Sequence, residues 1–331
     1  IIMRKKIKFG ILGCSSIAEK SMIPAIKNST NSQLEMLGSQ STNKAAKFGK
    51  KFSCKVYGNY EEVLENDEID AVYISLPPSL HEKWIIKAAK FGKHIICEKP
   101  TALSTKSAEK IIKECKKNHV RVIENFAFRY HPQQEKVLEL IKKKSIGKIS
   151  SFYGNYSFNL NVSQNNFRLN KKLGGGVLND VAGYLICANR LIFNEKPISV
   201  FCNLQYERGI DVSGNIHIQY KDKNSICSFS YKNYFQSFYN IFGEKGVLKA
   251  EKSFNIRKDM KSVITIEKEN KLKIINVKAC DKFTKLTEIF CNEISNSNIK
   301  KNNFEKNIMD QANIMDAAKK SIFKKQIIKI K

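Results

Sequence analysis

The sequence predicts an α/β chain in two parts. The first is a doubly wound parallel sheet, and the second is an α+β part built on a large, open, mainly antiparallel sheet. Three observations carry this. Up to residue 125, short apolar runs alternate with stretches whose apolar residues recur at helical spacing, the pattern of right-handed βαβ units on a parallel sheet. Beyond that point, apolar residues fall on alternate positions, as in strands that bury one face. The length of 331 residues suits two domains of ~100–200 residues each, placed at 1–125 and 126–331.

The elements follow in order. Residues 7–12 form a strand closed by Gly13, and 17–27 read as a helix with Pro24 inside it. Residues 33–39 form the second strand, and 42–52 a helix with Ala45, Ala46 and Phe48 on one side. Residues 69–76 form the third strand, stopped by Pro77-Pro78. A helix over 79–91 has Leu80, Trp84, Ala88 and Phe91 at helical spacing and is closed by Gly92. Strands at 94–97 and 121–124 flank a helix at 104–118. In the second part, a period of two runs through Phe152, Tyr156, Phe158 and Leu160. It returns in Ile198, Val200, Cys202, Leu204 and Tyr206, and again in Ile216, Ile218 and Tyr220. One face of that sheet is expected to pack on helices near 133–144, 177–193 and 306–320. The other is left for solvent or another subunit.

Composition narrows the function classes. The net charge of +27 is mostly lysine spread along the whole chain. No aromatic–basic motif accompanies it, so a solvated lysine surface is expected and no nucleic-acid partner. An anionic substrate such as a nucleotide sugar would benefit from the positive field. No run of 18 apolar residues occurs, so no membrane span is expected. The basic start, 1–6, leads into a strand without a small-residue cleavage site and reads as no signal peptide. Nine cysteines, an odd number without any CxxC pair, point away from disulfides and metal sites and toward a reducing cytoplasm.

The stretch Gly10-Ile11-Leu12-Gly13-Cys14-Ser15-Ser16-Ile17-Ala18 sits where a strand meets a helix, the context of the GxGxxG/A dinucleotide fingerprint of a Rossmann domain. Gly13 supplies the tight turn and Ala18 the close packing. Ser15 stands where a middle glycine lets backbone approach the pyrophosphate. The amides of Ser16 and Ile17 at the helix start are expected to do most of the phosphate binding. After the second strand comes Ser39-Gln40-Ser41-Thr42-Asn43-Lys44, without the acidic residue that selects NAD. Ser39, Gln40 and Lys44 could therefore face the 2′-phosphate of NADP. The same residues could equally be turn and helix-cap chemistry, with Ser41 or Thr42 as the cap.

Further motifs resemble one family throughout the chain. They are Ser75-Leu76-Pro77-Pro78-Ser79-Leu80-His81-Glu82-Lys83-Trp84, Gly92-Lys93-His94-Ile95-Ile96-Cys97-Glu98-Lys99-Pro100 and Asn125-Phe126-Ala127-Phe128-Arg129-Tyr130-His131-Pro132-Gln133. Asn166-Phe167-Arg168-Leu169, Gly174-Gly175-Gly176-Val177-Leu178-Asn179-Asp180 and Tyr184 then follow in order. The chain resembles the glucose-fructose oxidoreductase / inositol dehydrogenase (Gfo/Idh/MocA) family. The Asp180-x-x-x-Tyr184 form is similar to its NADP-linked subgroup of dihydrodiol and xylose dehydrogenases and sugar-nucleotide 3-ketoreductases.

The resemblance implies an NADP- or NAD-dependent oxidoreductase acting on a hydroxyl- or keto-bearing carbon of a sugar, sugar nucleotide or cyclic polyol. An inactive dinucleotide-binding sensor of the same fold is the alternative. Lys99, Tyr184 and Asp180 are then the catalytic candidates. The cofactor set includes Ser75, Leu76, Pro77, His81, Trp84, Glu98, Lys99 and Arg168. Lys99, Arg129, Asp180 and Tyr184 are the substrate set. Either Tyr184, assisted by Lys99, or Lys99 itself exchanges the proton. Substrate-lining side chains are expected from loops near 156–168 and 230–242. A homodimer or homotetramer through the open sheet face is expected.

Overall fold

The computed structural model describes residues 6–161, 166–296 and 302–330. The chain divides into two compact units: residues up to Asn125 with Phe283–Asp310, and Phe126–Lys282 with Gln311 onward.

In the first unit, β1 (Ile7–Leu12), β2 (Ser32–Gly38), β3 (Val56–Gly58), β4 (Ala71–Ile74), β5 (His94–Cys97) and β6 (Val122–Glu124) form one sheet. Its order is β3-β2-β1-β4-β5-β6 and every pair is parallel, the order of dinucleotide-binding doubly wound sheets. Because helices cover it, the central strands are apolar on both faces: Ala71 to Ile74 and Ile95 to Cys97 are fully buried. The helices are α1 (Ile23–Asn28), α2 (Thr42–Phe52), α3 (Tyr60–Glu65), α4 (His81–Lys90) and α5 (Thr105–Lys117).

Pro24 falls in the first turn of α1, and the turn before it, Ala18–Met22, is a π-turn. That wider turn absorbs the hydrogen bond that proline cannot donate. β3 and α3 have no periodic signature in the sequence. β3 is a three-residue edge strand. α3 is fixed by a capping box between Asn59 and Glu62. It can lie on the sheet because Gly10 and Gly38 lack Cβ atoms, which would stand 2.4 and 2.8 Å from Val63 methyl carbons.

The second unit is built on nine strands. They are β7 (Ile149–Ser157), β8 (Ser199–Glu207), β9 (Ile210–Gln219), β10 (Asn224–Ser230), β11 (Gln236–Gly243), β12 (Gly246–Ala250), β13 (Ser262–Lys268), β14 (Lys271–Val277) and β15 (Ile328–Lys329). They are ordered β14-β13-β12-β11-β7-β10-β9-β8-β15. All pairs are antiparallel except β7 with β10. Phe152, Val200, Cys202, Ile216, Ile218, Cys227, Phe229, Tyr239 and Ile241 on the inner face share one core with Val137 and Leu140 of α6 (Pro132–Lys142). Leu185, Ile186 and Ile192 of α7 (Gly183–Phe193) complete it.

On the outer face, Phe201, His217, Ile226 and Tyr153 line up in register across four neighbouring strands. Their three apolar members are 36–46% exposed. The period-two run starting at Ile198 breaks at Tyr206, which is exposed, because β8 shifts register between Gln205 and Tyr206.

The stretch Phe283–Asp310 corrects the expectation of an unbroken second domain over 126–331. Along α8 (Lys282–Ile294), Leu286, Phe290 and Cys291 are buried, as are Phe304 and Ile308 at the start of α9 (Phe304–Lys324). The Asn31 side-chain amide donates to Glu288 O and Asn292 Oδ1, both at 3.0 Å. Arg121 is the buried anchor. Its guanidinium donates to Glu293 Oε1 (2.9 Å), Glu305 Oε1 (2.7 Å) and Oε2 (3.1 Å), and Asn302 O (2.8 Å), over the Phe304 ring. Nothing around Arg121 in the sequence announces partners more than 170 positions away. None of the nine cysteines forms a disulfide, and eight are buried. Among the described residues no helix is long and apolar enough to cross a membrane.

Arg121→Ala should destabilise the protein by about 3–5 kcal/mol, because it strands the Glu293 and Glu305 carboxylates that Arg121 neutralises. The readout is the unfolding midpoint in denaturant. Burial opposes the charge on Glu293, but Arg121 and Asn302 hold its pKa below the usual value. This ion pair's contribution is therefore complete above about pH 4.5 and is lost as the pH falls through the lowered folded pKa.

Candidate active site

In the first unit, four strand ends are in register: Leu12 pairs with Ile74, Ile74 with Cys97, and Cys97 with Glu124. The next residues, Gly13, Ser75, Glu98 and Asn125, therefore form a row along the carboxyl edge, where open α/β sheets bind ligands. Ser75 Oγ donates to Gly13 O at 2.7 Å. Glu98 Oε1 accepts from Tyr73 Oη (2.7 Å) and Asn125 Nδ2 (2.6 Å). Burial pushes the Glu98 carboxyl up from its ordinary pKa, against the pull of these donors and of Lys99. Lys99 follows, half-buried, with the Lys99-Pro100 peptide cis.

His81 is fully buried. Its Nδ1 lies 2.9 Å from Pro100 O and its Nε2 2.8 Å from Leu76 O. It ties the turn after Lys99 to the segment after β4, and burial lowers its pKa. Leu76 is buried and Pro77 half-buried beside it. Trp84 is packed edge-on against Tyr60, 5.0 Å between ring centres, with Lys83 and Lys87 over its face. It has the environment of a core side chain.

These residues fit a dinucleotide. Gly13 has φ +107°, and a Cβ there would stand 3.0 Å from Leu76 Cδ2 and 3.2 Å from Ser75 O, so only glycine leaves the edge open. Ser15, at the middle-glycine position, caps the helix: its Oγ accepts from the Ala18 amide at 3.1 Å. That leaves the Ser16 and Ile17 amides outside the helical ladder. Asn125 Oδ1 is a buried acceptor with no hydrogen-bond partner among the described residues. At the far end, Ser41 caps α2, its Oγ accepting from Lys44 N. Ser39 is buried with its Oγ accepting from Ser41 N, and Gln40 and Lys44 are exposed.

In the second unit, the chain at 174–176 runs against the backbone of Phe167 and Arg168. A Cβ on Gly175 would lie 2.4 Å from Phe167 O and 2.6 Å from Arg168 O, and Gly176 N donates to Arg168 O at 2.9 Å. The glycines thus make a close approach of two backbones. Gly176 has φ +104°, and the place of its missing Cβ is taken by the Asp211 carboxylate, 2.0 Å away, which accepts from Leu178 N at 2.7 Å. The helix opens with a π-turn, Leu178–Ala182, and continues as α7. Asp180 and Tyr184 lie in successive turns of it.

Asp180 Oδ2 accepts from Arg168 Nε (2.7 Å) and Tyr231 Oη (2.9 Å). Burial opposes the Arg168 charge, but Asp180 more than offsets it and raises the guanidinium pKa. Burial, followed by the Asp180 charge, pushes the Tyr231 phenol far above its ordinary value. The half-buried Tyr184 ring is held by Phe126, Phe128, Tyr156 and Phe254, with centroids 5.2–5.9 Å apart.

The structure therefore groups Glu98 with the strand-end row, and Arg168 with Asp180. Arg129 lies half-exposed in the turn Ala127–Tyr130. His131 is a structural cap of α6, its Nδ1 accepting from Gln133 N at 3.1 Å. Three neighbours escaped the sequence reading: Tyr231, Asp211 and Phe254. Tyr231 lies inside the second loop expected to line the substrate, but nothing in its spacing singles it out. Residues 162–165 of the first such loop lie outside the described residues.

Comparison with known proteins decides the family. A family model described as oxidoreductase family, NAD-binding Rossmann fold, matches residues 7–126, and the GFO/IDH/MocA C-terminal domain matches 135–249. The chain belongs to the Gfo/Idh/MocA oxidoreductase family. Among its relatives is the dTDP-3,4-didehydro-2,6-dideoxy-alpha-D-glucose 3-reductase of Saccharopolyspora spinosa. It is 27% identical over 88% of this chain and 89% of that protein. The D-xylose 1-dehydrogenase (NADP(+)) 2 of Haloferax volcanii is 28% identical over 86% and 88%. A crystal structure of a 3-ketoreductase from Actinomadura kijaniata, in complex with NADP and TDP-benzene, superposes with a TM-score of 0.92. It is 26% identical and covers 96% of this chain and 98% of that one.

Gly176→Ala should evict Asp211 from its place over the Leu178 amide. The expected cost is about 1–3 kcal/mol of left-handed backbone strain and about 1 kcal/mol of lost cap. Thermal unfolding followed by circular dichroism measures it, and an unchanged midpoint would contradict the geometry.

Proposed function

We propose that the chain is an NADP(H)-dependent oxidoreductase acting on a keto- or hydroxyl-bearing carbon of a nucleotide-linked sugar, with the first unit holding the dinucleotide and the second the sugar. The observation that carries this is the Asp180–Tyr184 helix start, held by Arg168 and an aromatic cage, in a chain whose dinucleotide-type strand edge ends in Lys99. The 3-reductase relatives, which span nearly the whole chain, support a sugar nucleotide. The net charge of +27 suits its diphosphate.

The cofactor's diphosphate is assigned to Gly13, Ser15, Ser16 and Ile17. Ser39, Gln40 and Lys44 are assigned to the 2′-phosphate. The absence of a carboxylate after β2 and the exposed Lys44 favour NADP over NAD. Ser75, Leu76, Pro77, His81 and Glu98 are assigned to the nicotinamide end, and Arg168 to a phosphate. Trp84 packs α4 against Tyr60 of α3.

When bound, the nicotinamide exchanges a hydride with the sugar carbon. The chain's own groups handle the proton. Tyr184 Oη gives it to the sugar oxygen in reduction and takes it back in oxidation. Lys99 is the other candidate for exchanging the proton, its ammonium suited to stabilising a developing alkoxide. Asp180 accepts from a substrate hydroxyl and, with Arg129, fixes the sugar's orientation.

Cysteines without disulfides fit a reducing cytoplasm. The apolar stripe of Tyr153, Phe201 and Ile226 supports a homodimer or homotetramer through the outer sheet face. A monomer mass in light scattering would remove that assignment.

Lys99→Ala should lower kcat/KM for the sugar substrate by at least ~10²-fold while NADP binding, read by fluorescence titration, is kept. The wild type should bind NADP more tightly than NAD in the same assay. Near-normal turnover in both Lys99→Ala and Tyr184→Phe would sink the mechanism.

A further inference from the structure

Tyr231 is the most constrained polar side chain near Asp180, and nothing in the motifs points to it. It directly follows β10, where its own amide donates to Val212 O at 2.8 Å and its carbonyl accepts from Leu160 N at 2.8 Å. Its ring packs on Phe158, 5.6 Å between centres, and the residue is 2% exposed. The phenol has one hydrogen and two acceptors in range, Asp180 Oδ2 at 2.9 Å and Gly176 O at 3.3 Å. The shorter, charge-assisted bond takes it. Arg168 Nε already donates to that same oxygen. Two donors from different parts of the chain, one charged and one neutral, therefore converge on Oδ2.

We infer that Tyr231 is a positioning residue: with Arg168 it pins Oδ2 of Asp180, so that the carboxylate keeps one rotamer. This rests on the reading of Asp180 as part of the reaction site. The division of labour follows from chemistry. Arg168 carries charge but sits on a short turn, Phe167–Leu169, with its side chain one-third exposed. Its pull is open to screening by solvent and salt. Tyr231 brings no net charge, and burial keeps its proton in place far above neutrality. It is thus a donor at every working pH. A hydrogen bond to the charged form of a carboxyl lowers its pKa, so the phenol makes Asp180 more acidic than Arg168 alone would. Other titratable groups acting on this cluster include Asp211, whose charge acts on the phenol, Tyr184, which acts on Arg168, and Lys319 and Lys171, which act on Asp211.

The test is Tyr231→Phe, which keeps the ring and deletes one hydroxyl, made in the NADP-bound protein. The Asp180 carboxyl carbon, followed by carbon NMR with labelled aspartate, should titrate about one pH unit higher than in the wild type. The acid limb of the kcat/KM profile for a sugar nucleotide should move up with it. The same variant should lose about tenfold in kcat with KM nearly unchanged.

Phe158→Leu loosens the ring under Tyr231 and keeps every hydrogen-bonding group, so it should shift the titration the same way by less. It also serves if Tyr231→Phe does not fold. Tyr220→Phe removes an equally buried hydroxyl, the one bonded to Asn189, and should leave Asp180 where it is. An Asp180 titration unchanged in both Tyr231→Phe and Phe158→Leu overturns the inference, as does an equal shift in Tyr220→Phe. A wild type that turns over no sugar nucleotide would defeat the functional reading, while the carboxyl titration still decides the role of Tyr231.

Discussion

Two backbones touch in the second unit because Gly175 has no side chain to keep them apart, and its half of the site depends on that contact. The carbonyls of Phe167 and Arg168 occupy the space a Cβ would need. Holding Arg168 there delivers its side chain to Asp180 twelve residues later. One residue on, the left-handed Gly176 gives its empty side-chain position to Asp211, which caps the helix start. A partly buried cluster of Arg168, Asp180, Tyr231 and Asp211 is a poor way to stabilise a fold. Desolvating such groups costs about as much as their attraction returns, and apolar side chains of the same volume would serve as well or better. What the cluster provides instead is a carboxylate held in one place.

The first unit solves the corresponding problem differently. Parallel strands in register end together, so the residue after each strand lands in one row without any contact specifying it. The row then needs only local adjustment: a glycine where a ligand must come close, a serine to tie neighbours, and a carboxyl braced by Tyr73 and Asn125. Glu98 precedes Lys99, and its braces fix the strand end from which the lysine emerges. His81 fixes the other side of the same turn through Pro100 O. Lys99 is positioned by its backbone on both flanks.

What the sequence showed and what it hid divide along these lines. Elements with a sustained period were legible: the buried strands, α4 with its Trp84 and Ala88 face, and the alternation in β7 and β9. So were residues whose neighbours in the chain form a motif, such as Gly13, Lys99 and the run from Gly174 to Asp180. Elements set by one contact were not. α3 depends on an Asn59 cap and two distant glycines, and β3 is too short to show a period. The stretch 283–310 turns back to the first unit through Arg121 and Asn31, whose partners lie far along the chain. Tyr231 and Asp211 are invisible for the same reason. Each looks like an ordinary strand residue until β9 and β10 place it beside the glycine turn. Ser39 to Lys44 is intermediate: the sequence left open cap or phosphate contact, and the Ser41 cap is present while Lys44 remains exposed.

The buried cysteines have a consequence for how the protein can be watched. Burial lifts the Cys14 thiol to about 11 and those of Cys115, Cys202 and Cys227 to about 12. Since the thiolate is the reactive form, alkylating reagents find little to attack beyond the half-buried Cys280 while the chain is closed. Cys115 and Cys291 belong to one unit and Cys202 and Cys227 to the other. Labelling speed at each becomes a chronometer for the opening of its own unit, built in without tags or probes.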